Sequence, residues 1–197
     1  LADFAAASLT EAAMARFDRM GDSRRKSYLS GRLVLKHLAR KLAGDDRMTA
    51  ATAIHTVADD GIRPFCPDLT GRRGFFCSLS HDRRFAVAVA ADVAVGVDVE
   101  VISERALKAR HLFMLETERS LTESSPLGVL PVALRVWSIK EGVTKTVNMP
   151  IGETWKRVEV VSVGEHESRL MVDGKPFVAY HDTIDDHLFT LVKAASG

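Results

Sequence analysis

The hexapeptide Gly96-Val97-Asp98-Val99-Glu100-Val101 alternates valine with small or acidic residues, a period of two that only an extended strand turns into two distinct faces. In a strand the valines line one side, and Asp98 and Glu100 share the other. A helix would scatter the same residues around its axis. The chain must therefore build a sheet that buries the valine face and tolerates two carboxylates side by side on the opposite one. Adjacent ionised carboxylates repel each other, and a hard divalent cation relieves that repulsion by taking oxygen ligands from both. Mg²⁺ is the natural candidate.

A second segment, Trp137-Ser138-Ile139-Lys140-Glu141-Gly142-Val143-Thr144-Lys145, has helical spacing. It sets Trp137, Glu141 and Lys145 along one stripe, with Lys140 beside it. Ring, acid and amines then share a face. Ser78-Leu79-Ser80-His81-Asp82 offers hydroxyls beside an imidazole, a combination able to hold phosphate, and Arg63 before Pro64 adds a cation in a loop. Taken singly, each of these segments also reads as an edge strand, a salt-bridged helix or a solvated loop.

The remaining pattern gives a mixed fold. Thr10–Met20 and Ser23–Leu42 read as helices with Thr10 and Ser23 as caps and Gly44 as a stop. Thr52–Val57 reads as a strand, Asp59-Asp60-Gly61 as a turn, and Pro64, Pro67 and Gly71 as loop markers. Phe85–Ala91 and Val93–Val101 read as a hairpin about Asp92, Arg105–Thr122 and Val132–Val147 as helices, and Pro150 and Gly152 as the end of the second. Strands follow at Arg157–Val163, Arg169–Val172, Phe177–Tyr180 and His187–Val192, with Asp173-Gly174 as a hairpin turn. Each half thus runs from helices into an antiparallel sheet, dividing the chain at 1–94 and 95–197.

Composition narrows the classes. With 197 residues, 46% of them hydrophobic, the chain can bury a real core. No apolar run is long enough to span a bilayer and no signal pattern leads the sequence, so a cytoplasmic protein is expected. Cys66 and Cys77 are too few for a disulfide framework and lack zinc-site spacing. A net charge of +1 argues against a nucleic-acid binder, yet residues 1 to 41 carry nine basic residues against four acidic ones. That imbalance suits an anionic ligand or an acidic protein partner.

Taken in order, Gly61-Ile62-Arg63-Pro64, Phe76-Cys77-Ser78-Leu79-Ser80-His81, the Gly96–Glu100 strand and the Trp137–Lys145 helix resemble the signature series of the Sfp-type 4'-phosphopantetheinyl transferases. Ser30-Gly31-Arg32-Leu33-Val34-Leu35-Lys36 is similar to that family's glycine-containing early helix, so the resemblance spans roughly Thr10 to Pro150. It implies an α+β pseudo-twofold monomer of two similar subdomains, with coenzyme A and Mg²⁺ in the cleft between them. It also implies that Asp98, Glu100 and Glu141 hold the metal, and that Lys145 and Lys140 offset pyrophosphate charge. Ser80 and His81 would meet the 3'-phosphate, while Arg63 and a basic residue of the first helices, Arg16 or Arg25, would extend the nucleotide grip.

The implied reaction moves the phosphopantetheine arm of coenzyme A onto a serine of an apo acyl, polyketide or peptidyl carrier protein and releases 3',5'-adenosine bisphosphate. Glu141 is the expected proton acceptor, directly or through a metal-bound water. Three departures from the family pattern stand out: Cys77 in place of asparagine, Gly142 in place of alanine, and Asn148-Met149-Pro150 in place of a glycine-rich loop. The chain also opens at Leu1 without the strand that usually begins members of the family, which implies residues missing ahead of it. Two other classes use the same residues: a metal-dependent phosphohydrolase, and a noncatalytic coenzyme A or phosphate-binding module.

Overall fold

The valine alternation does form a strand, but its partner is not the expected one. A computed structural model describes residues 1–44, 49–58, 63–69 and 75–195, which divide by their contacts into two units, Leu1–Asp92 and Val93–Gly197. Among the described residues the chain is α+β, with seven α-helices and two antiparallel sheets.

The first unit holds α1 (Ala2–Ala6), α2 (Glu11–Asp18), α3 (Asp22–Ala43) and a hairpin of β1 (Phe76–His81) and β2 (Ala86–Ala91). Thr10 caps α2 as expected, its hydroxyl accepting from the Ala13 amide at 3.3 Å. The second helix starts at Asp22 after Gly21 rather than from a Ser23 cap, and Gly44 ends it in the left-handed region. Leu9, Ala13, Phe17 and Leu29 form the core where α2 meets α3.

Along the inner stripe of α3, Arg32 and Lys36 are buried and give their donors to backbone carbonyls. Arg32 reaches the Thr56 carbonyl, and Lys36 Nζ reaches Ala51 and Ile54 at 2.6 and 2.7 Å. Burial, and then the neighbouring Arg32 and Arg40, push the Lys36 ammonium down to about 8. These bonds explain why Thr52–Val57 is not the expected strand: its carbonyls serve the cations of α3. The segment instead makes a 3₁₀ turn, Ala51–Ala53, and an isolated bridge from Val57 to Pro64. The Asp59-Asp60-Gly61 turn and Gly71 lie outside the described residues.

The second unit runs through β3 (Val95–Val101), α4 (Glu104–Phe113), α5 (Glu116–Ser124), α6 (Val129–Val147), α7 (Ile151–Arg157), β4 (Val158–Val163), β5 (Glu167–Val172), β6 (Lys175–Ile184) and β7 (His187–Ala194). The sheet order is β3-β7-β6-β5-β4. The hairpin of β2 with β3 expected from the sequence is therefore corrected: β2 pairs with β1, and β3 pairs with β7, Asp98 standing opposite Thr190. Burial explains the choice. Residues 95–99 are buried without interruption, whereas β2 is only half-buried along its length, so β3 needs cover on both faces. Asp173 and Gly174 take the positive φ values of the expected hairpin turn, 49° and 75°.

The single helix expected over Arg105–Thr122 is two, broken at Met114 and Leu115. The break is made by Glu118, whose carboxylate turns back to accept from the Leu115 amide at 2.7 Å. The expected stop is corrected: α6 ends at Val147 with Asn148 in the left-handed region, Pro150 is the N-cap of α7, and Gly152 lies inside that helix. Val132, Val136, Ile139 and Val143 of α6 pack onto Leu170, Leu188 and Val192 of the sheet and form the main core. Among the described residues no helix is long and apolar enough to cross a membrane.

Candidate active site

Two glycines set the distance between α6 and β3. A Cβ on Gly96 would lie 2.0 Å from the Gly142 carbonyl oxygen and 2.4 Å from Thr146 Oγ1, and one on Gly142 would lie 2.7 Å from Val192 Cγ2. Backbone therefore meets backbone, and the side chains of α6 on either side of Gly142 fall directly over the acidic face of β3. At Gly142 itself, the side chain that a Cβ would meet is that of Val192 on β7.

Each strand acid is held by donors from α6. Asp98 is buried; Ser138 Oγ donates to its Oδ2 at 2.9 Å, and Lys145 Nζ donates to its Oδ1 at 2.9 Å and to the Val97 carbonyl at 2.8 Å. The Trp137 indole N–H donates to Glu100 Oε1 at 2.8 Å. Trp137 is itself fixed by an edge-on contact with Phe113, centroids 5.1 Å apart, and a tilted contact with Trp155 at 6.0 Å. Glu141, one turn before Lys145, makes no hydrogen bond or ion pair with any described residue and is half-buried.

The electrostatics are those of a site with too few cations. Burial raises the proton affinity of Glu141, and Asp98 and Glu100 raise it further, while Lys145 opposes them. Burial likewise raises that of Glu100; the Trp137 hydrogen bond opposes this, Asp98 adds to it, and Lys145 and Arg105 oppose it. The structure thus brings Asp98, Glu100, Glu141 and Lys145 together. Their oxygens suit a hard divalent cation. Among the described residues, however, no three His, Cys, Asp or Glu side chains converge as a closed ligand group, and an ammonium rests on Asp98 instead.

Lys140 is not part of this cluster. Its side chain is fully buried on another face of α6, where Nζ donates to Glu118 Oε2 and to the Phe113 carbonyl, both at 2.7 Å, and to the Trp155 carbonyl at 3.3 Å. All three ammonium protons are used, so the expected contact with a cofactor has no donor left.

The other expected contacts belong to the first unit. Ser80 is buried near the end of β1 and His81 is exposed at its last position. Arg63 is exposed, its carbonyl accepting from the Ala58 amide at 3.0 Å. Arg16 is exposed on α2. Arg25 closes the C-terminal end of α2, donating to the carbonyls of Phe17 and Asp18 at 3.2 and 3.0 Å and stacking on the Phe17 ring.

The sequence reading missed Ser138 and the indole donor of Trp137. Ser138 precedes Lys145 by seven residues, two helical turns, so the spacing that gathered Glu141 and Lys145 also pointed to it. Glu118 carries no comparable local signal. No protein-family model matches the chain, and no curated protein matches it either.

Proposed function

We propose that the chain is a Mg²⁺-dependent 4'-phosphopantetheinyl transferase that takes its arm from coenzyme A and places it on a serine of an apo acyl or peptidyl carrier protein. The observation that carries this reading is the cluster of three acids and one lysine, Asp98, Glu100, Glu141 and Lys145, on two elements forty residues apart in sequence. These are the residues to which the ordered motifs assign the chemistry.

Asp98, Glu100 and Glu141 would hold the metal. Bound there, Mg²⁺ supplies charge stabilisation to the pyrophosphate of coenzyme A. Lys145 supplies the second positive charge, and Arg63, Ser80 and His81 are assigned to the nucleotide. The serine oxygen forms a bond to the phosphorus bearing the pantetheine arm, the bridging P–O bond breaks, and 3',5'-adenosine bisphosphate departs. The serine proton passes to Glu141, directly or through a water.

The test is direct incubation with coenzyme A, Mg²⁺ and a panel of apo carrier proteins, followed by mass spectrometry. Addition of one phosphopantetheine to at least one carrier is expected, and Glu141→Gln should lower the rate by about 100-fold or more. If no carrier gains mass, although a control transferase modifies all of them, the reading fails.

A further inference from the structure

The acid cluster contains a cation of its own. Lys145 Nζ sits 2.9 Å from Asp98 Oδ1, its side chain 27% exposed against 5% for the carboxylate it meets. Its charge also acts on Glu100 and Glu141, lowering the proton affinity that burial and mutual repulsion raise in both. One ammonium therefore serves three carboxylates. Among the described residues it hydrogen-bonds one of them: the Glu141 carboxylate accepts no hydrogen bond there, and that of Glu100 accepts from Trp137.

A divalent cation and an ammonium a few ångströms apart repel each other, so both cannot stay close to Asp98 at full strength. Between the two, the divalent ion is better suited to draw in Glu100 and Glu141. The lysine is the mobile member of the pair. Asp98 is pinned through its other oxygen by Ser138, at 2.9 Å, whereas Lys145 is a long, partly exposed side chain whose ammonium reaches Asp98 and the Val97 carbonyl from the end of a four-carbon stem.

We infer that Lys145 is an exchangeable counter-ion: its ammonium holds Asp98 in the free protein, leaves when a divalent cation enters the acid cluster, and is then available to an anionic phosphate. The last step rests on the transferase reading; the exchange itself rests only on the geometry of the cluster. A displaced ammonium needs a new anion, so metal and coenzyme A should each tighten the binding of the other, with Lys145 as the carrier of that coupling.

The exchange is tested with Mn²⁺ alone, by calorimetry or electron paramagnetic resonance, on wild type, Lys145→Met and Lys145→Arg. Lys145→Met should bind Mn²⁺ at least about tenfold more tightly than wild type, because the competing charge is gone, and Lys145→Arg should resemble wild type. Equal or weaker binding by folded Lys145→Met overturns the inference, as does absence of binding in both proteins. A second measurement needs no variant. Acylation of Lys145 in the wild-type protein by an N-hydroxysuccinimide ester, mapped by mass spectrometry, should rise severalfold on saturation with Mg²⁺, and an unchanged rate overturns the exchange. Neither measurement involves a carrier protein, so a failure here is distinct from a failure of the transfer assay.

Discussion

Lys140 and Glu118 meet at 2.7 Å with both side chains wholly withdrawn from solvent. Burial lowers the proton affinity of the lysine, and the Glu118 carboxylate beside it opposes that lowering, so the contact sets an ion-pair geometry against the cost of desolvation. The Glu118 carboxylate also accepts from the Leu115 and Val160 amides at 2.7 and 2.9 Å, so it ties the start of α5 and strand β4 to the middle of α6. Removing one partner leaves a buried charge without compensation. Lys140→Met should lose about 3–5 kcal/mol of stability. Adding Glu118→Gln should restore part of that loss, giving a coupling that a double-mutant cycle in urea can measure. Full stability in Lys140→Met would contradict this account.

Gly96→Ala tests whether the approach of α6 to β3 builds the site. The added methyl meets a backbone carbonyl at 2.0 Å, and a carbonyl cannot rotate away as a side chain does. The helix must shift, separating Trp137, Ser138 and Lys145 from the two strand acids. A loss of about 3 kcal/mol or more is expected, at or above the upper end of ordinary overpacking, together with loss of Mn²⁺ binding. Gly142→Ala meets only a valine methyl, at 2.7 Å, and should cost less, about 1–2 kcal/mol. Equal costs at the two positions, measured by chemical denaturation, would show that the contact is not the determinant.

This contrast also explains what the amino-acid sequence discloses. The Gly96–Val101 alternation and the Asp173-Gly174 turn are local statements, each decided by residues a few positions apart, and both could be read directly. Which strand β3 joins is not local: β7 lies about ninety residues later, and nothing in β2 shows that it is too exposed to serve. The break between α4 and α5 hid for a similar reason. Glu118 caps a helix whose N-cap is a leucine, so the serine or threonine that normally marks such a start is missing. Periodicity sets Asp98 beside Glu100 and Glu141 beside Lys145, and the order of the motifs joins the two segments into one site; the same periodicity placed Lys140 beside Glu141, because it cannot tell a side chain facing a polar cluster from one facing a buried carboxylate.

His181 gives the fold a defined response to acid. Its ring is buried between Ser168, 2.8 Å from Nε2, and Thr190, 3.0 Å from Nδ1, and neither partner carries a charge. Burial, and then Arg135 and His166, depress its folded-state value to about 3, against 6.5 for an exposed ring. The unfolded chain therefore binds a proton that the folded chain refuses throughout that interval, and stability falls as the pH drops through it. Between pH 7 and pH 5 the loss from this residue should be about 2 kcal/mol. His181→Gln, which keeps hydrogen-bonding groups but cannot titrate, should flatten that part of the stability curve. An unchanged slope would mean that other groups set it.

The two uncharged donors of α6 should matter to the metal more than to the fold. Trp137 bonds one oxygen of Glu100 and Ser138 one oxygen of Asp98, which fixes the carboxylates while leaving the second oxygen of Glu100 without a described partner. Trp137→Phe keeps a ring against Phe113 and Trp155 but removes the N–H, so most of the packing survives and Glu100 is free to rotate. Outer donors of this kind typically contribute 10- to 100-fold to metal affinity, whereas a single hydrogen bond to a charged group contributes only about 1.5–3 kcal/mol to stability. Trp137→Phe and Ser138→Ala should therefore each weaken Mn²⁺ binding by at least about tenfold while the protein stays folded at 25 °C. Their combination should exceed either alone, since they act on different acids. If Mn²⁺ binding were unchanged in both folded variants, the donors would serve only to satisfy buried carboxylates, and the cation would have to approach Asp98 and Glu100 through oxygens that α6 does not orient.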